Sequence, residues 1–446
     1  MALLQHRGHL VLALIILMIS AFRACAAELP NPFPPRDISV STLENGLRLV
    51  VKADHTLPVV ALAVTVRSGS AAETQAQGQA HLLEHLVFQG TKRYPAPLQA
   101  QQALEQAGGI SDAVTSRDAI RFQAAIASDQ AELLVRVLYD VVMAPLLTDE
   151  RFEQERPVVL AEIQREDDNP IVAAIAGAYR ISYRAHPYRF SPSGSIQDLL
   201  RMTAGDVRAF HQRWFGSKNI SLVFVGDITP ARAKEIVAGN FGLVKPVPLS
   251  ERPPAETTLF ETPMRHHAPT TLPGTCQAMA FPAPASADFT RMVATDVLLT
   301  LLVDGPDALL STWYAGRGLS PTRFGGEFVS TRAPGRLILW ADTPVEQAAP
   351  MRDATLTLLR RIYVGDVDDE ALELARKRLV MSFVLENETY SQQAATLAFY
   401  ESLGGAHLAS RYVPALEALT FAQVCDAAPT DLLGWVTVGK RPEGGL

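Results

Sequence analysis

The order of apolar and polar residues along the chain predicts alternating strands and helices. Residues 47–52 and 59–66 alternate in polarity and are rich in β-branched side chains, which is typical of strands. The same reading predicts further strands at 121–126 and 221–225, and helices at 78–88, 129–142 and 149–165. This mixture indicates an α+β fold.

The element order then recurs after a stretch rich in Pro. Residues 246–274 contain many prolines and little periodicity, which predicts a linker. Beyond the linker, three segments take the places of the second strand, the first helix and the third strand: 278–281, 295–303 and 336–340. We therefore predict an α+β protein of two homologous halves, each a mainly antiparallel sheet with helices packed on it. The expected domains are 27–245 and 275–446.

The first 26 residues have the order of a secretory signal peptide. Arg7 precedes an apolar run over 10–22, and small residues follow up to Ala26. A run of about 13 apolar residues is too short to span a bilayer. We expect cleavage near Ala26 and a secreted, periplasmic chain with no transmembrane segment. The alternative is a lipoprotein anchor on Cys25, which the residues before it match poorly.

Composition narrows the classes of function. The chain has 446 residues, 48% of them hydrophobic and 20% charged, which excludes a disordered or coiled-coil protein. It carries 40 Lys+Arg against 47 Asp+Glu with no basic run, which argues against a nucleic-acid partner. The mature chain would keep only Cys276 and Cys425, which either pair or remain buried free thiols.

The motif His81-Leu-Leu-Glu84-His85 is the strongest chemical signal. Two imidazoles four residues apart share one helix face, where both can reach a single ion, and the carboxylate between them can handle a proton. The alternative is a buried helix whose histidines bind local acceptors. The corresponding positions of the second half are Val297, Thr300 and Leu301. Only the first half could therefore carry out this chemistry.

Residues 78–91 resemble the active-site segment of the pitrilysin, insulysin and mitochondrial-processing-peptidase family, whose inverted His-x-x-Glu-His motif binds zinc. In that family a downstream Glu in a helix of the form Glu-Arg-x-x-Val-x-x-Glu is the third ligand. Residues 155–162 fit this form, and Glu162 follows His85 by 77 residues. Three further segments match in the family's order: 108–115, 186–188 and 219–227.

The resemblance implies a zinc peptidase that binds one Zn²⁺ per chain through His81, His85 and Glu162. Such a site leaves one zinc position open for water, and Glu84 would be the general base that takes the proton of that water. Glu155 lies about two helical turns before Glu162, so we expect it to assist the ligands or proton transfer without binding the metal. The alternative for Glu155 is a solvated carboxylate.

Residues 108–122 resemble the family's substrate strand, which holds an extended peptide by edge pairing. We expect Asp112 and Ala113 to contact the substrate. Asp112 stands where Asn is usual, and its charge either favours basic side chains or belongs to an exposed turn. The usual Thr and Tyr are replaced by Ile120 and Phe122, whereas Asp118 is kept, and we expect it to be structural.

The second half lacks the family's substrate-holding Arg and Tyr. Tyr314 stands in the Arg position and Pro321 in the Tyr position, and neither Arg317 nor Arg323 is in register to substitute. The family includes two-subunit enzymes in which one chain holds the metal and the other supplies the Arg and Tyr. We therefore expect a heterodimer with a homologous partner, acting on peptides or unfolded protein segments. Two alternatives stay open: a catalytically silent scaffold and a metal-binding module that is not an enzyme.

Overall fold

The computed structural model describes residues 31–74, 76–249, 256, 262–270 and 274–441. The predicted signal peptide, with Cys25, lies outside these residues. No helix in the described part of the chain is both long and apolar enough to span a bilayer.

The first half contains six strands and eight α-helices in its described residues. The strands are β1 (Ile38–Thr42), β2 (Arg48–Ala53), β3 (Val59–Val66), β4 (Ile110–Thr115), β5 (Ile120–Ala127) and β6 (Ile220–Gly226). The helices are α1 (Gln79–Leu86), α2 (Gln99–Gln106), α3 (Ala131–Met143), α4 (Asp149–Asp168), α5 (Pro170–Ser182), α6 (Ile196–Arg201), α7 (Ala204–Trp214) and α8 (Pro230–Ala238).

The second half contains five strands and seven α-helices in its described residues. The strands are β7 (Met264–Pro269), β8 (Thr275–Pro282), β9 (Arg323–Phe328), β10 (Arg336–Thr343) and β11 (Gly434–Gly439). The helices are α9 (Phe289–Val303), α10 (Leu309–Ala315), α11 (Ala348–Tyr363), α12 (Asp369–Leu385), α13 (Tyr390–Leu403), α14 (His407–Ala418) and α15 (Phe421–Ala427).

The two sheets have the same topology, which confirms two homologous halves of an α+β fold. The first has the order β1-β2-β6-β3-β5-β4 and the second β7-β11-β8-β10-β9, so β1 is the one strand of the first that has no counterpart among the described residues. Each sheet is antiparallel except for one parallel pair, β2 with β6 and β7 with β11. Strands β4 and β9 each form one edge of their sheet, and the opposite edges are β1 in the first sheet and β7 in the second.

The structure differs from the predicted linker 246–274 in its last part. β7 lies within that segment and occupies the place in the second sheet that β2 occupies in the first. Its residues are mostly exposed, so it lacks the apolar alternation that marks a strand. It is held by pairing with β11 from the far end of the chain, a contact that local sequence cannot show.

Each half packs one of its helices on the sheet of the other half. Helix α5, from the first half, packs on β8, β10 and β11, whereas α13, from the second half, packs on β3, β5 and β6. The approach of α5 is close, since a Cβ on Gly177 would lie 3.0 Å from Val436 Cγ1. Each sheet is therefore covered on one face by the other half, which fixes the position of the two halves relative to each other.

Both remaining cysteines are free and buried, Cys276 in β8 and Cys425 in α15. Of the two possibilities left open by the sequence, the structure has the free thiols.

Candidate metal centre

Helix α1 presents the three polar residues of the motif on the side away from the core. It begins after Gly78, which has a left-handed φ of 95°, and ends at Leu86. Ala80, Leu82, Leu83 and Leu86 are buried in the core of the first half. Because these four positions face inward, the motif positions 81, 84 and 85 face helix α4 and strand β4.

Helix α4 brings the third ligand candidate to the two histidines. Glu162 Oε2 lies 3.4 Å from His85 Nε2 and 3.9 Å from His81 Nε2. One ligand atom from each of the three residues lies within 4.8 Å of the others, and no other such group of three occurs in the described part of the chain. Ligands ~2.0–2.1 Å from a tetrahedral zinc lie about 3.4 Å apart, so these three side chains fit one zinc ion.

Glu155 contacts the opposite side of the same histidine. Its Oε1 lies 3.0 Å from His85 Nδ1, and its side chain is buried. When Nδ1 carries the proton and donates it in a hydrogen bond to Glu155, Nε2 keeps a free lone pair on the side of Glu162. A histidine that binds a metal through Nε2 requires this tautomer. The two carboxylates of α4, two turns apart, thus contact the two nitrogens of one ring.

The electrostatics of the two histidines differ. Burial lowers the pKa of His81 to about 4, so this ring is neutral and able to bind a metal. Burial acts in the same direction on His85, but the hydrogen bond and charge of Glu155, together with Glu162, outweigh it and raise the pKa of His85.

Glu84 is not one of the three grouped residues, and its carboxylate is bonded to strand β4. Thr115 Oγ1 donates a hydrogen bond to Glu84 Oε2 at 2.5 Å. Burial raises the pKa of Glu84, partly offset by this hydrogen bond. A cavity of about 280 Å³ lies beside it, and its lining includes His85, Asp112 and Ala113. Sequence reasoning missed Thr115, because the β4–α1 contact joins residues 31 positions apart.

Strand β4 is an edge strand with an accessible outer side. It pairs only with β5 among the described strands, and Ile110 is 65% exposed. The backbone groups on its outer side are therefore available to an extended chain. Asp112 and Ala113 lie in the middle of this strand, next to the cavity that contains Glu84.

Tyr314 and the two nearby arginines, Arg317 and Arg323, all contact residues of the second half. The Tyr314 hydroxyl lies 2.6 Å from Thr355 Oγ1 in the core. The guanidinium of Arg317 lies 3.2 Å from the centre of the Trp313 ring, and Arg323 pairs with Asp342 at 3.2 Å.

Asp118 binds structural partners. It accepts hydrogen bonds from the Tyr188 hydroxyl at 2.6 Å and from the backbone N–H of Arg332 at 2.8 Å. Because Arg332 belongs to the second half, this carboxylate ties the two halves together.

Comparison with known proteins gives two adjoining family matches. Residues 48–189 match the family described as Insulinase (Peptidase family M16), and residues 201–379 match the Peptidase M16 inactive domain. The zinc protease PqqE of Helicobacter pylori is 26% identical over 381 residues, which cover 82% of this chain and 83% of that protein. The mitochondrial-processing peptidase subunit beta of Blastocladiella emersonii is 26% identical over 205 residues, 46% of this chain and 44% of that protein.

Two solved structures share the fold. A protease from Helicobacter pylori superposes with a TM-score of 0.82 at 22% identity, covering 90% of this chain and 99% of that chain. A peptidase M16 inactive domain from Pseudomonas fluorescens gives a TM-score of 0.80 at 19% identity, covering 92% and 99%.

Proposed function

The chain belongs to peptidase family M16, and from this premise we propose that it is a zinc-dependent endopeptidase acting on peptides or unfolded protein segments. The observation that carries the proposal is the convergence of His81, His85 and Glu162 beside Glu84, at the edge of a sheet. A scaffold without activity would not need Glu84 as a base, and it would not need this carboxylate beside an edge strand with unpaired backbone groups.

Bound by His81, His85 and Glu162, zinc would supply a water acidified towards a pKa of ~7 and polarise the scissile carbonyl. Glu84 takes the proton of the nucleophile and returns it to the leaving amine. Thr115 holds the Glu84 carboxylate in place through the hydrogen bond to Oε2. Strand β4 aligns the peptide as an added strand, with Asp112 and Ala113 next to the bond to be cut.

We further propose that activity needs a homologous partner. The positions of the substrate-holding Arg and Tyr carry Tyr314 and Pro321, and Tyr314 is buried in the core. Among the relatives of this chain are proteins named as alpha and beta subunits of mitochondrial-processing peptidase, which is the kind of two-chain arrangement proposed. Secretion to the periplasm is likewise proposed, from the leader-like residues 1–26 alone.

Removal of the ligand side chains should separate the roles of the two carboxylates on α4. Glu162→Gln and His85→Ala should lose zinc and peptidase activity together. Glu155→Gln should retain most of its zinc at saturation and lose only ~10- to 100-fold in metal affinity or activity, because Glu155 acts on the metal through His85. Zinc per chain by mass spectrometry, together with kcat/KM on an unfolded peptide, measures both quantities.

The matched control on the same helix is Glu153→Gln. The side chain of Glu153 is 62% exposed and pairs only with Arg156 among the described residues, so zinc content and activity should not change. Equal loss of zinc from Glu155→Gln and Glu162→Gln would make Glu155 a direct ligand and contradict the assignment.

A further inference from the structure

The start of helix α1 has an unusual source of hydrogen-bond acceptors. The first N–H groups of a helix have no partner within it and are usually satisfied by the side chain of the N-cap residue. The N-cap of α1 is Gly78, which has no side chain. Glu73 takes over this task from outside the helix: its Oε2 accepts from Gly78 N at 2.9 Å and its Oε1 from Ala80 N at 2.9 Å.

Packing explains why the acceptor cannot come from position 78 itself. A Cβ on Gly78 would lie 3.0 Å from the carbonyl oxygen of Ser193 and 3.2 Å from Gly194 Cα. A Cβ on Gly194 would lie 2.5 Å from Gly78 Cα. The backbone at 193–194 thus occupies the space that a capping side chain would need, and α1 is confined between this loop and the buried Glu73, which is 7% exposed.

The two histidines differ in what positions them. His85 is held through its own ring by Glu155. No described side chain forms a hydrogen bond with His81 Nδ1, and the hydrogen-bonding group that acts on this ring is the backbone of Ser193. The position of the ring therefore depends on the backbone of α1 and of the loop at 193–194. His81 directly follows Ala80, and the backbone N–H of Ala80 donates a hydrogen bond to Glu73.

We propose that Glu73 is a positioning residue of the metal centre: by binding the first turn of α1 with both carboxylate oxygens, it fixes the place of His81 opposite Glu162. Glu73 contacts neither metal nor substrate, and its effect reaches the site only through the helix backbone. This inference rests on the proposed zinc site and adds to it a residue outside the motif.

The test is the zinc affinity of Glu73→Gln, measured by competition with a chromophoric chelator on metal-stripped protein. The amide keeps one acceptor and turns a donor towards a backbone N–H, so the dissociation constant should rise ~10- to 100-fold, as for other residues that orient ligands. Thermal unfolding of the metal-stripped proteins is recorded in parallel.

The matched control is Glu401→Gln. Glu401 is 2% exposed and, like Glu73, accepts a hydrogen bond from a backbone N–H just before a helix, that of Ala406 at 2.9 Å. It lies in the second half, however, and pairs with Arg48. Both variants should unfold at lower temperature, whereas only Glu73→Gln should bind zinc more weakly. A purely structural role for Glu73 would lower both unfolding temperatures and leave both zinc affinities at the wild-type value, which would overturn the proposal.

If Glu73→Gln does not fold, Glu73→Asp decides the question, because the shorter side chain keeps the carboxyl group but cannot reach both N–H groups. Wild-type zinc affinity in a folded Glu73→Asp variant would overturn the proposal, and weakened affinity would support it. A wild-type chain that binds no zinc would refute the proposed function instead, so the two failures are distinguishable.

Discussion

The variant Glu84→Gln is expected to bind zinc as the wild type does and to lose ~10²- to 10⁴-fold in kcat/KM, the range typical for removal of a general base. Glu84 is not part of the ligand group, and its carboxylate instead accepts a hydrogen bond from Thr115 beside the cavity at β4. The amide keeps the shape and the hydrogen bond but cannot take a proton from water. Zinc content and cleavage of an unfolded peptide are measured on the same preparation.

A suitable control is Glu105→Gln, which changes an exposed carboxylate of helix α2 and should alter neither quantity. Near wild-type cleavage by Glu84→Gln would contradict the mechanism. If the wild type binds zinc but cleaves nothing in any assay, with or without a partner, the chain is a metal-binding module or a silent scaffold.

The second large effect concerns the partner. The isolated chain should be weakly active or inactive, and a homologous chain that carries the Arg and Tyr should restore activity on an unfolded peptide. Groups that stabilise the oxyanion are commonly worth ~10²- to 10³-fold each, so the gain in kcat/KM should be of at least that order. The measurement compares the chain alone, the partner alone and the co-purified pair.

Replacement of the partner's Arg and Tyr should remove this gain while leaving the pair assembled. Full activity of the purified chain alone, unchanged by any homologous subunit, would contradict the proposal. The missing groups would then have to come from Arg317, from Arg323 or from a second copy of the chain. The first two would have to leave Trp313 and Asp342, which they contact in this structure.

Local pattern predicted the strands that are buried along most of their length. The strand expected at 59–66 is β3 with the same bounds, because it is buried along nearly its whole length in the centre of a sheet. The repeat was visible for the same reason, since β8 and β10 are buried central strands of the second sheet. Strand β7 was missed because it is exposed and depends on a distant partner. The exchange of α5 and α13 between the halves depends wholly on tertiary contacts.

The motif predicted which residues meet, but not what surrounds them. The spacing in α1 and the family resemblance pointed to His81, His85 and Glu162, and the structure brings these three together. Thr115 and Glu73 were not predicted, because their hydrogen bonds to α1 join separate segments of the chain. One signal for Glu73 was present in the sequence: a helix that begins after Gly, with no capping side chain, needs an acceptor from elsewhere.

The most direct test of the central claim is peptide cleavage by the assembled pair before chelation, after removal of metal and after the return of zinc. We predict that cleavage disappears with the metal and recovers fully when one Zn²⁺ per copy of this chain has been added. Cleavage that persists in metal-stripped protein, or that fails to return although zinc binds, would contradict the assignment of this chain as a zinc-dependent peptidase.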